Sequence, residues 1–364
     1  MIYGQAGIES SMDPVLRGLE SGTLLQNTWQ RLISGHPPAG EHIELTIDIE
    51  LQNLAMELLE GRSGAAVLLE ANSGELYVVA SQPSFDPNQI EQSWQSLVAD
   101  EEAPLINRAA QAQYQPGLSV APFFFAQANA LEFLDPDRRV TALGEVVDVN
   151  GEVLTCSLAP PQSVERSLAS ALRYGCPGPM QRAFTAAGWE AMRTAIDSFG
   201  FSRPVEIQLE TAGAGALPTE VTEEELAQQA IGQGELRLSP LQVGRAFGGL
   251  LAGPERAPLQ LVRAVDVSEE GWVPLEPLGY RVPPYSEAVV SAIEAIYASG
   301  DMNLIDLRAQ AISGSGGELL GWYLGALDRA DRLWVVVVVL ENEQPYIAEG
   351  LGKMILEAAD QGSP

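Results

Sequence analysis

Trp334 to Leu340 reads Trp-Val-Val-Val-Val-Val-Leu, the longest β-branched run in the chain. It has the length of a strand and falls well short of the roughly 18 to 20 apolar residues that span a bilayer. Within Arg332 to Leu340 it forms a hairpin with Leu319 to Ala326 around Asp328-Arg329-Ala330-Asp331. A strand this apolar needs a core around it. The chain has 364 residues, 46% of them apolar, which is enough to supply one, in a single large domain with two lobes or in two domains.

Other strands announce themselves at the opposite end of the chain. Ile43 to Ile47 looks extended, and Asp48 is a good N-cap for a helix over Ile49 to Leu59. Ala65 to Leu69 and Glu75 to Ala80 form a hairpin about Ala71-Asn72-Ser73-Gly74. Ser81 to Gly117 is loop-rich, with a helical stretch from Pro87 to Val98. The segment from Ser119 to Phe133 is apolar on nearly all sides, as a buried helix must be, and Pro122 fits only its first turn. Glu145 to Val149 and Glu152 to Thr155 flank the turn pair Asn150-Gly151. From Ser163 to Leu251 the pattern is mainly helical. Leu259 to Val265 is extended, Tyr285 to Ser299 helical, and Ala348 to Ala359 is a closing helix. Strands at both ends with helices between them imply an α+β fold, a mostly antiparallel central sheet packed by helices with an inserted helical lobe over about 163–251. Residues 1–40 read as a connector and 41–364 as the main domain.

The formal net charge is −29, from 49 Asp and Glu against 20 Lys and Arg. Such a surface repels phosphate backbones and anionic headgroups, so nucleic acid is excluded as a partner, and contact with a membrane is expected only through an anchor absent from this chain. Met1-Ile2-Tyr3-Gly4 does not start a signal peptide. The two cysteines, Cys156 and Cys176, lack metal-ligand spacing, and two small half-buried thiols are expected, with a single bridge the alternative in an oxidising compartment. Neither a metal nor a cofactor is expected.

Seven stretches, in order, together resemble the transpeptidase domain of class B penicillin-binding proteins. They are Gly4-Gln5-Ala6-Gly7-Ile8-Glu9 with Leu16-Arg17-Gly18; Leu45-Thr46-Ile47-Asp48 with Leu51-Gln52; Ala80 to Asn88; Ile106-Asn107-Arg108-Ala109; Tyr114-Gln115-Pro116-Gly117; Ile231-Gly232-Gln233-Gly234 with Ser239-Pro240-Leu241-Gln242; and Gly321-Trp322-Tyr323-Leu324-Gly325. The resemblance implies a serine transpeptidase fold that cross-links peptidoglycan in the cell envelope, outside the cytoplasm. Its chemistry uses S-x-x-K, S-x-N and K-T-G motifs facing one cleft, the first lysine taking the proton of the attacking serine and the second holding a substrate carboxylate.

Those side chains are replaced here. Leu118 stands at the position of the nucleophile and Ala121 at that of the base. The second motif falls on Gly175-Cys176-Pro177 and the third on Ile312-Ser313-Gly314-Ser315. The only lysine, Lys353, lies on the closing helix. Losing a general base and a charge clamp removes many orders of magnitude of rate, so neither transpeptidation nor covalent capture of β-lactams is expected.

Other residues invite chemistry less strongly. Ser119 sits one place out of register, which on a helix turns its side chain by about 100°; an N-cap is the expected role, a nucleophile the alternative. Cys176 is expected to be an inert thiol, since no histidine or lysine lies near it in sequence to lower its pKa. Ser313 and Ser315 either bond a ligand carboxylate or peptide backbone or only pack as small residues. His36 and His42 read as solvated, and Glu223-Glu224-Glu225 as a solvated face. The expectation is a pseudoenzyme that binds cell-wall synthesis or division proteins, or wall peptide, without reacting. The alternative is a serine or cysteine acyl hydrolase or transpeptidase acting through Ser119 or Cys176.

Overall fold

Five consecutive valines are at home only between two apolar layers, and the computed structural model of the protein puts them there. It describes residues 7–18, 40–213, 217–253, 257–267, 271–300, 303–313, 317–329 and 331–362. The chain opens with the short helices α1 (Gly7–Ser11) and α2 (Asp13–Leu16), strand β1 (His42–Leu45), helix α3 (Ile49–Leu58) and the hairpin β2 (Gly64–Glu70) and β3 (Leu76–Gln82). Helices α4 (Ile90–Ala99) and α5 (Ala121–Ala130) and a small hairpin, β4 (Val147–Val149) and β5 (Glu152–Leu154), follow. The helical lobe carries α6 (Leu168–Arg173), α7 (Pro177–Ala187), α8 (Trp189–Ser198), α9 (Glu223–Gln229) and α10 (Pro240–Leu251). Then come β6 (Val262–Val267), β7 (Gly271–Pro274), α11 (Glu287–Tyr297), β8 (Ala298–Ser299), β9 (Leu304–Ser313), β10 (Glu318–Arg329), β11 (Arg332–Glu341) and α12 (Pro345–Gly362).

The main sheet has the order β3-β2-β11-β10-β9-β8, with every neighbouring pair antiparallel. Because strand side chains alternate, Val335, Val337 and Val339 join Trp322 and Leu324 in the core under α5 and α10, while Val336, Val338 and Leu340 join Tyr323 beneath α12. Full burial stabilises each valine by roughly 1.5 kcal/mol, an upper estimate because the unfolded chain is itself partly collapsed. A second sheet, β1-β6-β7, lies beside the N-terminal helices.

Asp48 caps α3 as expected, accepting from the amides of Glu50 and Leu51. Three expectations need correction. Strand β9 was not anticipated, because its alternation carries Asp306, Arg308 and Gln310 on one side. Ser119 is not an N-cap: it lies inside a 3-10 turn, Gly117–Val120, and Val120 takes the cap position of α5. Cys156 and Cys176 are not free thiols but a disulfide. His42 is exposed at the start of β1, and His36 lies outside the described residues.

Candidate functional site

The stretches that looked informative in sequence hold one another in space. Tyr114 exchanges backbone hydrogen bonds with Leu238, Trp322 donates its indole N–H to the Gln115 carbonyl at 2.9 Å, and the Gly117 amide donates to Gly232 at 3.1 Å. Gly117 has φ of +54° and lies so close to β9 that a Cβ would overlap the Gln310 carbonyl. Only glycine fits this backbone and this approach. The chain therefore enters the 3-10 turn tightly pinned, and Leu118, Ser119 and Ala121 are buried behind it at 6%, 0% and 3% exposure.

The three motif segments meet along the outer edge of β9. An edge strand presents unpaired amides and carbonyls, and that is where an extended peptide can add. Here two of its backbone groups are hydrogen-bonded and two are closely approached by glycine. The Asp306 carbonyl accepts from Arg173 at 2.8 Å, Gly175 packs toward the Arg308 carbonyl, Gly117 covers that of Gln310, and the Ile312 amide donates to Gln233 Oε1 at 3.3 Å. Beyond them β8 pairs with Leu304 and Ile305. Leu118, Ala121, Cys176 and Ile312 belong to one apolar cluster behind this edge.

Residues 64–292 match the family model described as the penicillin binding protein transpeptidase domain. The chain belongs to that family. It is 23% identical to the peptidoglycan D,D-transpeptidase PbpA of Mycobacterium tuberculosis, over all of this chain and 81% of that protein. Identity to the peptidoglycan D,D-transpeptidase MrdA of Haemophilus influenzae is 25%, over 72% of this chain but only 44% of that protein. Among solved structures, penicillin-binding protein A from M. tuberculosis as a penicillin G acyl-enzyme complex superposes with a TM-score of 0.82 at 22% identity, covering 98% of this chain and 89% of that one.

Within this transpeptidase-domain fold, the positions expected to carry chemistry hold little that can react. Ser119 is wholly enclosed, and its Oγ has no hydrogen-bond partner among the described residues. Without a base beside it, a hydroxyl so placed has no route to give up its proton. Cys176 is bonded to Cys156, which removes the thiol from consideration as a nucleophile or a ligand contact. Gly175 and Pro177 are buried at the start of α7, and Ser313 is half-buried at the end of β9, paired with Glu318. Gly314 and Ser315 lie outside the described residues.

Lys353 is not among these residues. It projects from α12, on the opposite face of the sheet, to Glu349 at 2.7 Å and Asp306 at 3.2 Å. Burial pulls its pKa down, but the hydrogen bond and charge of Glu349, together with Asp306, outweigh it and leave the pKa raised. Arg173 and Arg308 complete the network, Arg308 donating to Glu349 at 2.6 Å. Tyr297 and Tyr323 are buried close by, and burial pushes both phenols above their usual range. These are structural ion pairs. Sequence reasoning missed them because β9 itself went unassigned. Among the described residues no group of three His, Cys, Asp or Glu side chains could hold a metal ion.

Proposed function

We propose that this chain is a catalytically inactive member of the penicillin-binding protein transpeptidase family, serving as a scaffold or non-covalent binding module in peptidoglycan synthesis. The observation that carries this reading is the want of an amine where proton transfer would be needed: leucine, alanine and isoleucine occupy Leu118, Ala121 and Ile312, and the single lysine is committed to Asp306 and Glu349 across the sheet. The contacts along β9 at Asp306, Gln310 and Ile312 support the same reading, since they occupy part of the strand edge on which a peptide would pair. The relatives named above are D,D-transpeptidases, and one of the matched structures belongs to a peptidoglycan synthase complex. Partners among wall-synthesis or division proteins, and an extracytoplasmic location, follow from that kinship. The Cys156–Cys176 bridge supports the location, because disulfides persist in oxidising compartments.

The test is incubation of the purified protein with a fluorescent penicillin and, separately, a fluorophosphonate, followed by intact mass measurement. No adduct is expected from either reagent. A stoichiometric adduct on any hydroxyl would overturn the proposal, and one on Ser119 would establish the hydrolase alternative.

A further inference from the structure

At the other edge of the sheet, β3 borders a cavity of about 640 Å³, a volume typical of ligand pockets. Phe85, Leu105, Ile106 and Ile8 line it, as does Ile90 of α4. That helix has the sequence Ile-Glu-Gln-Ser-Trp-Gln-Ser-Leu-Val-Ala. Ile90, Trp94, Leu97 and Val98 fall at i, i+4, i+7 and i+8, one apolar stripe. Yet no residue of α4 is buried; Trp94 is 51% exposed and Val98 60%. A helix this short is marginal in water by itself, and its stability normally comes from covering such a stripe. The stripe continues into the cavity through Ile90, so helix and cavity form one apolar surface.

The charge around that surface has one sign. Between Arg62 and Arg108 the sequence contains no lysine, arginine or histidine. Asp86, Glu91, Asp100, Glu101 and Glu102 are all exposed there, and Glu9 and Glu210 stand on the cavity wall. Arg108 does not compensate them. Its guanidinium is buried and turned inward, to Glu341 at 2.8 Å and to the carbonyls of Glu102 and Ala103 at 2.6 and 3.2 Å. It fixes the loop and leaves the carboxylates outside.

We propose that this face docks a cationic amphipathic segment of a partner protein, its apolar side chains filling the cavity and covering Trp94 and Val98, its arginines or lysines meeting the acidic rim. An anionic membrane or a nucleic acid would be repelled by the same rim, and a second copy of this chain would bring like charge to like. The inference goes beyond the function proposed above and does not depend on whether the β9 edge is catalytic.

The test is calorimetric titration of the full chain, at low and at physiological salt, with three synthetic peptides: leucine at helical spacing with arginine elsewhere, the same peptide with glutamate for arginine, and an arginine–serine peptide of equal charge. The leucine–arginine peptide is expected to bind at least about tenfold more tightly than the other two. Trp94→Ser combined with Val98→Ser should weaken it by about tenfold. Glu101→Gln with Glu102→Gln should weaken it by roughly threefold and flatten its salt dependence. All four positions are exposed, and circular dichroism checks that the variants remain folded. Absence of binding, equal binding of the arginine–serine peptide, or indifference to the Trp94 and Val98 changes overturns the proposal. So does a dimer in sedimentation that those two changes abolish, which would make a second copy the occupant. None of these measurements involves acylation, so failure here is distinct from failure of the penicillin test.

Discussion

Along β9 the rim of the sheet meets Arg173, Gly175, Gly117 and Gln233 in turn, and the side chains behind them are apolar and enclosed. At β3 the Tyr77 carbonyl accepts from the Asp48 amide and both backbone groups of Val79 bond the Gln52 side chain, and at Ser81 the wall gives onto the cavity. One edge is hydrogen-bonded at the Asp306 carbonyl and the Ile312 amide and closely approached by Gly175 and Gly117 between them. The opposite edge keeps exposed apolar side chains ringed by carboxylates. The difference teaches that the edge where the relatives' motifs align backs onto enclosed apolar side chains, while exposed apolar side chains gather near the opposite edge.

The comparison breaks most visibly if a charge is tolerated behind β9. Ala121→Lys puts an ammonium into the apolar cluster and should cost roughly 3–5 kcal/mol in urea unfolding; a loss under about 1 kcal/mol would mean that the space is wet and open. Changing Cys156 and Cys176 together to serine releases a cross-link between residues 20 apart and should cost about 3 kcal/mol by the same measurement. Gly117→Ala forces a side chain into the left-handed region and against the Gln310 carbonyl, a loss of about 2 kcal/mol. Lys353→Met, behind the same strand, should cost less than about 1 kcal/mol at neutral pH, since the lysine is a third exposed and Arg173 and Arg308 still pair with Asp306 and Glu349. The folded pKa of Lys353 is raised, so its contribution is complete below the unfolded value near 10.4 and fades as pH climbs through the folded one. Wild type and variant should therefore converge in alkaline urea titrations. The smallest effect belongs to β3: Trp94→Ser with Val98→Ser should leave stability within about 0.5 kcal/mol, because neither side chain is buried.

Much of the frame was legible in the sequence. Unbroken valines marked the middle of the sheet, Asn72 to Gly74 and Asp328 to Asp331 marked hairpin turns, and Asp48 marked a helix start, all by local rules. Strand β9 was legible in principle, since Leu307, Ala309 and Ala311 alternate with Arg308 and Gln310, but its charged residues, Asp306 and Arg308, find their partners on α12, distant in sequence. Ser119 misled because Gly117 delays the helix by one 3-10 turn, carrying the serine inside instead of to the cap. The disulfide and the Arg173–Asp306 pair join residues distant in sequence, which no local pattern encodes.

Strand β2 pairs with β11, so Gly64 lies opposite Leu340, 276 residues later in the sequence. During synthesis the first hairpin must wait, with one flank unmatched, until residues 332–341 have been made. Closure of so distant a contact is slow, and the waiting hairpin is the point at which a nascent chain is most exposed to misassembly or to capture by chaperones.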